Sequence, residues 1–413
     1  MQWTSALSTR ASLETAIDDV VEQTQQALAA SPGASPDVGF VFISSAFASE
    51  FPRLLPLLRE KLSVPTLIGC SGGGVVGWQD GASPVEVEDR PALSLAVACL
   101  PDVQLQTFHL SAEDLPDLDS PPDAWISLTG ISPESQPQFV LMADPYSPGI
   151  NDVLQGLDFA YPSAVKVGGL AGVGSVNKSS GLFCDDQLYT DGVVGLALSG
   201  NIVLDAIVAQ GCRPIGQPYQ VVEAEQNVIL KLDDGDDRGD SSIRPPIEVL
   251  QALFQTLSEA DRKLAQSSLF IGVEQSSFSL EQSQGDFLIR NLIGVDPRLG
   301  AIAIGDRIRP GQRVQFHLRD ASTSAEDLES LLRRYPIADL SSRPAEAGAL
   351  MFSCMGRGQG LYKAPSFDAR LFDRYVKQVP LSGFFCNGEI GPIGNSTFLH
   401  GYTSVFAICH QPS

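Results

Sequence analysis

An internal repeat constrains the fold more than any other feature of this chain. One layout occurs three times: an apolar strand-like run, a polar loop, a helical stretch, a short strand, a glycine-rich turn and a closing strand. The first copy begins with a strand at 38–44 and a polar loop at 45–50. A helical stretch at 54–62 follows, with Leu54, Leu55, Leu57, Leu58 and Leu62 apolar. A strand at 66–68 then runs into Gly69, Cys70, Ser71, Gly72, Gly73 and Gly74, and residues 92–100 close the copy. The second copy has its strand at 139–143, loop at 144–149 and helix at 150–159. Residues 164–167 lead into Gly168, Gly169, Leu170, Ala171 and Gly172, and 192–199 close it. The third has its strand at 349–354, loop at 355–360 and helix at 369–377. Residues 381–385 lead into Cys386, Asn387, Gly388, Glu389, Ile390 and Gly391, and 402–409 close it. Short runs of Val, Ile, Leu and Phe suit strands buried on both faces, and a helix between two such strands is a βαβ crossover.

This pattern predicts an α/β (mixed α+β) chain with mixed β-sheets flanked by helices. Repeated β-α-β-β units would stack as helix–sheet–sheet–helix layers, with a helix over 13–30 covering one sheet. Between the second and third copies the texture changes. Strands are expected at 202–210, 220–232, 269–273, 287–295, 301–304 and 313–318, and helices at 246–257 and 325–335. Asp320 and Ser324 compete to cap the last helix, with Ser324 the neater fit. The acidic run 233–240 (DDGDDRGD) reads as a solvated loop, because it lacks the EF-hand spacing. Pro214, Gly216 and Pro218 mark a domain join near 211–220. The expected division is a helix over 1–34, a module over 35–215 and a second over 216–413, arranged as a pseudo-dimer.

Composition removes whole classes of function. Lys and Arg number 27 against 49 Asp and Glu, a net charge of −22. Phosphate backbones need clustered cations, so nucleic acid is excluded as a partner. The most apolar stretch, 192–211, carries Asn201 and Asp205 and a turn at 199–201; it reads as a hairpin, and no membrane span or secretory leader is expected. The seven cysteines (Cys70, Cys99, Cys184, Cys212, Cys354, Cys386, Cys409) are odd in number and form no CxxC pair. A reduced, cytoplasmic chain without disulfides, metal or other cofactor is the expectation. His109, His317, His400 and His410 are scattered and build neither a metal site nor a Cys–His or Ser–His–Asp constellation.

Several motifs together resemble the FIST family, the F-box and intracellular signal transduction proteins. They are Ile68-Gly69-Cys70-Ser71-Gly72-Gly73, Gly168-Gly169, Gly285-Asp286-Phe287-Leu288-Ile289-Arg290 and the run from Gly311 to Ala321. The C-terminal part adds Cys354-Met355-Gly356-Arg357-Gly358 and the run from Gly383 to Pro392. The resemblance covers about 35–405 and implies N- and C-terminal FIST modules. It also implies a sensory role toward a small ligand such as an amino acid, with a signalling protein as partner. No F-box segment is read in this chain.

The candidate ligand-binding residues are Cys70, Ser71, Gly72, Gly73, Gly168, Gly169, Arg357, Asn387, Gly388 and Glu389. Clustered glycines after a strand bring backbone N–H groups toward an anion or carboxylate; they equally suit a tight turn. Neither a P-loop nor a dinucleotide fingerprint is present, since no GK[ST] follows and no helix opens there. Arg357, between two glycines, offers a planar fork for a carboxylate, or an internal pair with Glu389 as the expected partner. Glu389 suits an amino group, Arg357 or a loop salt bridge. Asp144, before Pro145, reads as a turn former. Arg290, Arg319 and Asp320 read as structural ion pairs. Stacked repeats would bring Cys70, Cys354 and Cys386 together, and a reactive thiol among them would need a neighbouring cation such as Arg357. The leading expectation is a non-catalytic small-ligand sensor. The alternatives are an interaction scaffold and a cysteine-dependent enzyme.

Overall fold

The three copies build three six-stranded sheets that pass a hairpin around a ring. A computed structural model describes residues 1–29, 35–79, 83–172, 180–235, 242–275, 287–336 and 346–412. Gly285, Asp286 and residues 236–240 of the acidic run lie outside the described residues.

The first copy contributes β1 (Gln2–Ser8), α1 (Leu13–Ala29), β2 (Val38–Ser44), α2 (Phe51–Lys61), β3 (Thr66–Gly72), β4 (Gly74–Gln79), β5 (Ser83–Glu88) and β6 (Leu93–Cys99). The second contributes β7 (Val103–Leu110), α3 (Pro122–Thr129), β8 (Gln138–Ala143), α4 (Ile150–Ala160), β9 (Lys166–Leu170), β10 (Leu182–Cys184), β11 (Gln187–Tyr189) and β12 (Val193–Gly200). The third opens with β13 (Val203–Ala209). An inserted segment then carries β14 (Cys212–Glu225), β15 (Val228–Asp233), β16 (Ile243–Arg244), α5 (Pro246–Thr256), α6 (Glu259–Ala265), β17 (Leu269–Glu274), β18 (Phe287–Asp296), β19 (Ala301–Ile304) and β20 (Arg313–Arg319). After α7 (Ala321–Arg334) the third copy resumes with β21 (Ala347–Cys354), α8 (Gly358–Tyr362), α9 (Phe367–Tyr375), β22 (Leu381–Cys386), β23 (Glu389–Ile393), β24 (Ser396–His400) and β25 (Ser404–His410).

Two compact units result: Met1–Ala209 with Glu329–Ser413, and Gln210–Leu328. This spatial division cuts across the sequential one at 215/216, because the third copy folds with the first two. In the larger unit the strand orders are β1-β6-β2-β3-β10-β11, β7-β12-β8-β9-β23-β24 and β13-β25-β21-β22-β4-β5. The central pairs β2–β3, β8–β9 and β21–β22 are parallel; the other pairings are antiparallel. Each sheet receives its last two strands from another copy. The hairpin β4–β5 joins the third sheet, β10–β11 the first and β23–β24 the second.

The far edges follow the same cycle. β7 follows β6 into the second sheet, and β13 follows β12 into the third. β1 takes the edge of the first sheet, and the Met1 ammonium donates to Gln411 Oε1 at 3.2 Å, beside the end of β25. The larger unit therefore closes a pseudo-threefold ring rather than the expected pseudo-dimer.

Residues from all three sheets share one core, in which Phe42 stacks on Phe384 at 5.2 Å and Phe384 meets Phe352 edge-on at 5.7 Å. The outer faces bury helices: α1 and α2 pack on the first sheet through Ile17, Val20, Leu54 and Leu58, and α4 packs on the second through Val153 and Leu157. On the third, α9 stacks Phe372 on Phe406 at 5.0 Å. Mixed sheets flanked by helices are thus as expected, with three sheets instead of two around the core. In the smaller unit β14-β20-β17-β18-β19-β15 closes on itself through β14–β15, a six-stranded antiparallel barrel with β16 against β15.

Four local expectations are corrected. Residues 192–211 do not form a hairpin: the turn at Gly200 exists (φ 93°), but β12 pairs with β7 and β8 while β13 pairs with β25. The ring needs β13 as the edge of the third sheet. The Pro214–Pro218 stretch is a register shift within β14, between Ile215 and Tyr219, and not a linker. α7 starts at Ala321, four residues early, and Asp320 caps it by accepting from Thr323 N at 2.7 Å. Ser324 is buried and donates to Gly211 O at 2.9 Å. Finally, Asp320 pairs with Arg213 at 3.3 Å, and Arg319 is buried at 8% exposure. Arg290 pairs with Asp306 at 2.6 Å.

Candidate functional site

The glycine-rich turns of the three copies meet at the pseudo-axis. Gly69, Gly168 and Gly383 are equivalent, each opposite a residue of the parallel neighbour: Val41, Leu141 and Met351. A Cβ on any of them would lie 1.8, 1.8 or 1.9 Å from that residue's carbonyl oxygen, so only glycine fits. Two residues on stand Ser71, Leu170 and Phe385; four on stand Gly73, Gly172 and Asn387. These six close a ring of backbone hydrogen bonds. Gly73 N donates to Phe385 O (3.1 Å), Asn387 N to Leu170 O (3.1 Å) and Gly172 N to Ser71 O (2.9 Å). The close approach again needs a missing side chain: a Cβ on Gly172 would sit 2.0 Å from Gly73 N.

The N–H groups expected to cradle an anion are therefore used by the turns themselves. Ser71 N also has a partner in Gly181 O (2.8 Å), and Leu170 N in Gly388 O (2.8 Å). Of the ten residues read as ligand-binding, Cys70, Ser71, Gly72, Gly168, Gly169, Arg357, Gly388 and Glu389 are buried. Asn387 is exposed and Gly73 half-buried, so the solvent face of the ring is narrow. Met355, 41% exposed, lies against Gly73. Around this face stand the loops that leave β2, β8 and β21. Each is started in the same way: Ser44, Asp144 and Cys354 accept from the backbone N two residues on, of Ala46, Tyr146 and Gly356, at 3.2, 3.0 and 3.5 Å. Asp144 also accepts from the hydroxyls of Ser147 and Ser180.

Arg357 is not aimed at this face. Its side chain is 0% exposed, with Nε 2.6 Å from Asp368 Oδ2, Nη2 3.1 Å from Oδ1 and 2.5 Å from the Tyr362 hydroxyl. The expected partner was Glu389; the pair formed is with Asp368. The exchange explains the difference. Glu389 leaves with β23 for the second sheet, where it accepts from Thr403 N at 3.0 Å. Asp368 arrives on the first turn of α9. Burial alone lowers the Arg357 pKa, but the Asp368 carboxylate overrides it and the guanidinium stays charged.

The exchanged hairpin locks onto this pair. Glu86, on β5 of the first copy, accepts from Ala369 N at 2.7 Å and so caps α9 of the third. Glu88 accepts from Gln359 N at 2.9 Å at the start of α8. Among the described residues Glu86 Oε2 has no partner. Burial, then the charge of Asp368, pushes the Glu86 pKa up to about 8. Sequence reading missed Glu86, Glu88 and Asp368. The alternating Pro84-Val85-Glu86-Val87-Glu88 reads as a half-solvated strand, and nothing local tells that another copy covers it.

A pH dependence follows. The folded state holds the Glu86 proton up to about pH 8, whereas an unfolded carboxyl loses it near its ordinary value. Between those limits the folded state binds more protons, so stability falls as pH rises, by about 1.4 kcal/mol for each unit of pKa difference. Urea unfolding across pH 5 to 9 (roughly that window) should show the decline in the wild type. Glu86→Gln, which keeps the cap, should flatten it.

Burial keeps several of the thiols in their neutral form. Burial raises the Cys70 and Cys386 pKa values, and at Cys386 the Glu389 carboxylate and the nearby Cys70 and Cys354 add to it. Cys409 is pushed up to about 12. Among the described residues no helix is long and apolar enough to cross a membrane, and no group of three or more His, Cys, Asp and Glu is placed to hold a metal ion.

The larger unit is thus a three-copy ring whose glycine turns meet at its axis, and the barrel is an insertion within the third copy. The chain matches the FIST N domain over residues 37–235 and the FIST C domain over 246–392. It is 32% identical over 376 residues to an uncharacterized protein of Mycobacterium tuberculosis, covering 91% of this chain and 92% of that one. An uncharacterized protein of Mycobacterium bovis is 32% identical over 388 residues, 94% of each chain. F-box only protein 22 of Homo sapiens is 28% identical over 122 residues, 25% of this chain and 30% of that protein. The chain belongs to the FIST family. FIST domains are associated with signal transduction and small-ligand sensing. The FIST N match runs from β2 through the second copy to the start of the barrel; the FIST C match covers the rest of the barrel and the third copy as far as β23.

Proposed function

We propose that this protein is a non-catalytic cytoplasmic sensor that binds a small polar metabolite such as an amino acid at the axial face. One observation carries the reading: the loops after three parallel strand pairs gather where Asn387 and Gly73 reach solvent. In sheets of this kind ligands sit beyond the carboxyl ends of parallel strands. A ligand there touches all three copies, so its binding energy acts on the whole ring, and a partner protein reads the resulting population shift. Seven free thiols agree with a reducing compartment. The test is thermal unfolding against each of the twenty amino acids, with Asn387→Ala as control. A ligand at 100 times its Kd stabilises by about 2.7 kcal/mol. A higher midpoint in the wild type, diminished in Asn387→Ala, is the expected result. No shift with any amino acid contradicts the reading.

A second reading, a protein-interaction scaffold, is favoured by the barrel. Ile293, Val295 and Leu299 are 60%, 58% and 64% exposed there, a grouping that suits a docking surface.

A further inference from the structure

A second cleft lies in the larger unit, away from the glycine ring. It measures about 520 Å³ and is lined by Thr4, Ser5, Gln23, Gln26, Trp78 and Gln378, together with Ala27 and Pro380. None of these side chains is ionisable, in a chain of net charge −22. We propose that this cleft binds a neutral, hydroxyl-rich ligand, a mono- or disaccharide, stacked against Trp78.

The hydrogen-bonding inventory points to hydroxyls. Gln23 Nε2 donates to Asp19 Oδ1 at 2.8 Å, and Gln26 Nε2 to Glu22 Oε1 at 3.1 Å, each one turn back on α1. An amide so held still has a carbonyl oxygen that can accept from a ligand's donors. Trp78 supplies the opposite need. Its half-buried ring lines the cleft, and its buried indole N–H has no partner among the described residues, a donor left over. The floor is already satisfied: Ser5 Oγ donates to Leu381 O at 2.8 Å and accepts from Trp78 N at 3.4 Å. A hydroxyl is donor and acceptor at once and carries no charge, so it meets both requirements. The apolar C–H face of a sugar ring then covers the half-buried indole. A zwitterion or phosphate would bring charges that none of the described lining residues neutralises. The site is independent of the axial face, since no lining residue belongs to the glycine turns.

Tryptophan emission reports on this cleft directly, because Trp3 and Trp125 are 2% and 0% exposed and Trp78 is the third of three. The full chain is titrated with glucose, maltose and trehalose, with choline and glucose 6-phosphate as charged probes. A saturable emission change with at least one neutral sugar, at millimolar Kd, is expected. It should vanish in Trp78→Phe and weaken about tenfold, or about 1.4 kcal/mol, in Gln26→Ala. Gln26 sits on an exposed helix position, so that variant keeps the test decisive even where Trp78→Phe does not fold. No saturable change up to about 50 mM of each sugar, a range covering weak ligands, overturns the proposal. So does an unchanged response in Gln26→Ala, or a response to the charged probes alone. The thermal-shift test at the axial face can fail or succeed without altering this result.

Discussion

Arg357→Met should destabilise the protein by about 3–5 kcal/mol in urea unfolding, the cost of breaking a buried ion pair from one side. Asp368 is 1% exposed, and it faces Glu86 once the guanidinium is gone. Methionine matches the stem of arginine but supplies no positive charge and no donors, so the Asp368 carboxylate stays buried without its counter-ion. Tyr362 loses both a 2.5 Å hydrogen bond and a guanidinium stacked 5.6 Å from its ring centre. Replacing both partners, Arg357→Met with Asp368→Leu, removes the stranded charge. The double variant should therefore lie closer to wild type than the single one. A loss below about 1 kcal/mol in the single variant, the range of exposed pairs, would show that Arg357 is free to meet a ligand after all.

The second large effect belongs to the shared glycine. Gly69→Ala, Gly168→Ala and Gly383→Ala should each cost more than the roughly 1–3 kcal/mol usual for overpacking, because the obstacle is backbone and cannot rotate away. The added carbon would meet a carbonyl oxygen at 1.8–1.9 Å in every copy. Relief requires separating the parallel pair that carries the turn, which also opens the axial ring. Gly360→Ala is the contrast. No described residue comes within 4 Å of a Cβ there, so the change should stay within about 0.5 kcal/mol. Unfolding curves for the four variants decide it. Equal, small effects at all four would contradict the close approach.

The equivalence of these glycines was legible in part. Strand, loop, helix and glycine turn recur in order, and apolar periodicity places them, so each β2-type and β3-type strand was readable from its own residues. The exchange was not. Gly73 and Asn387 look like ordinary turn residues; which sheet the next strand joins depends on partners some hundred residues away or more. The same limit hid the lock between copies. Glu86 and Asp368 are 282 positions apart in the numbering, and only the transfer of β5 to the third sheet brings them together. It also misdirected Arg357 toward Glu389, the near acid in sequence, which β23 carries elsewhere. Asp320 against Ser324 failed for a local reason: four extra residues of helix were hidden by a cap one turn earlier.

The central claim is a small-ligand site shared by the three copies, and site-resolved amide hydrogen exchange tests it most directly. The full chain is measured with and without an equimolar mixture of the twenty amino acids. Slower exchange is expected in the loops 45–50, 144–149 and 355–360 together, with the barrel unchanged. Protection confined to one loop, or absent from all three, would contradict it.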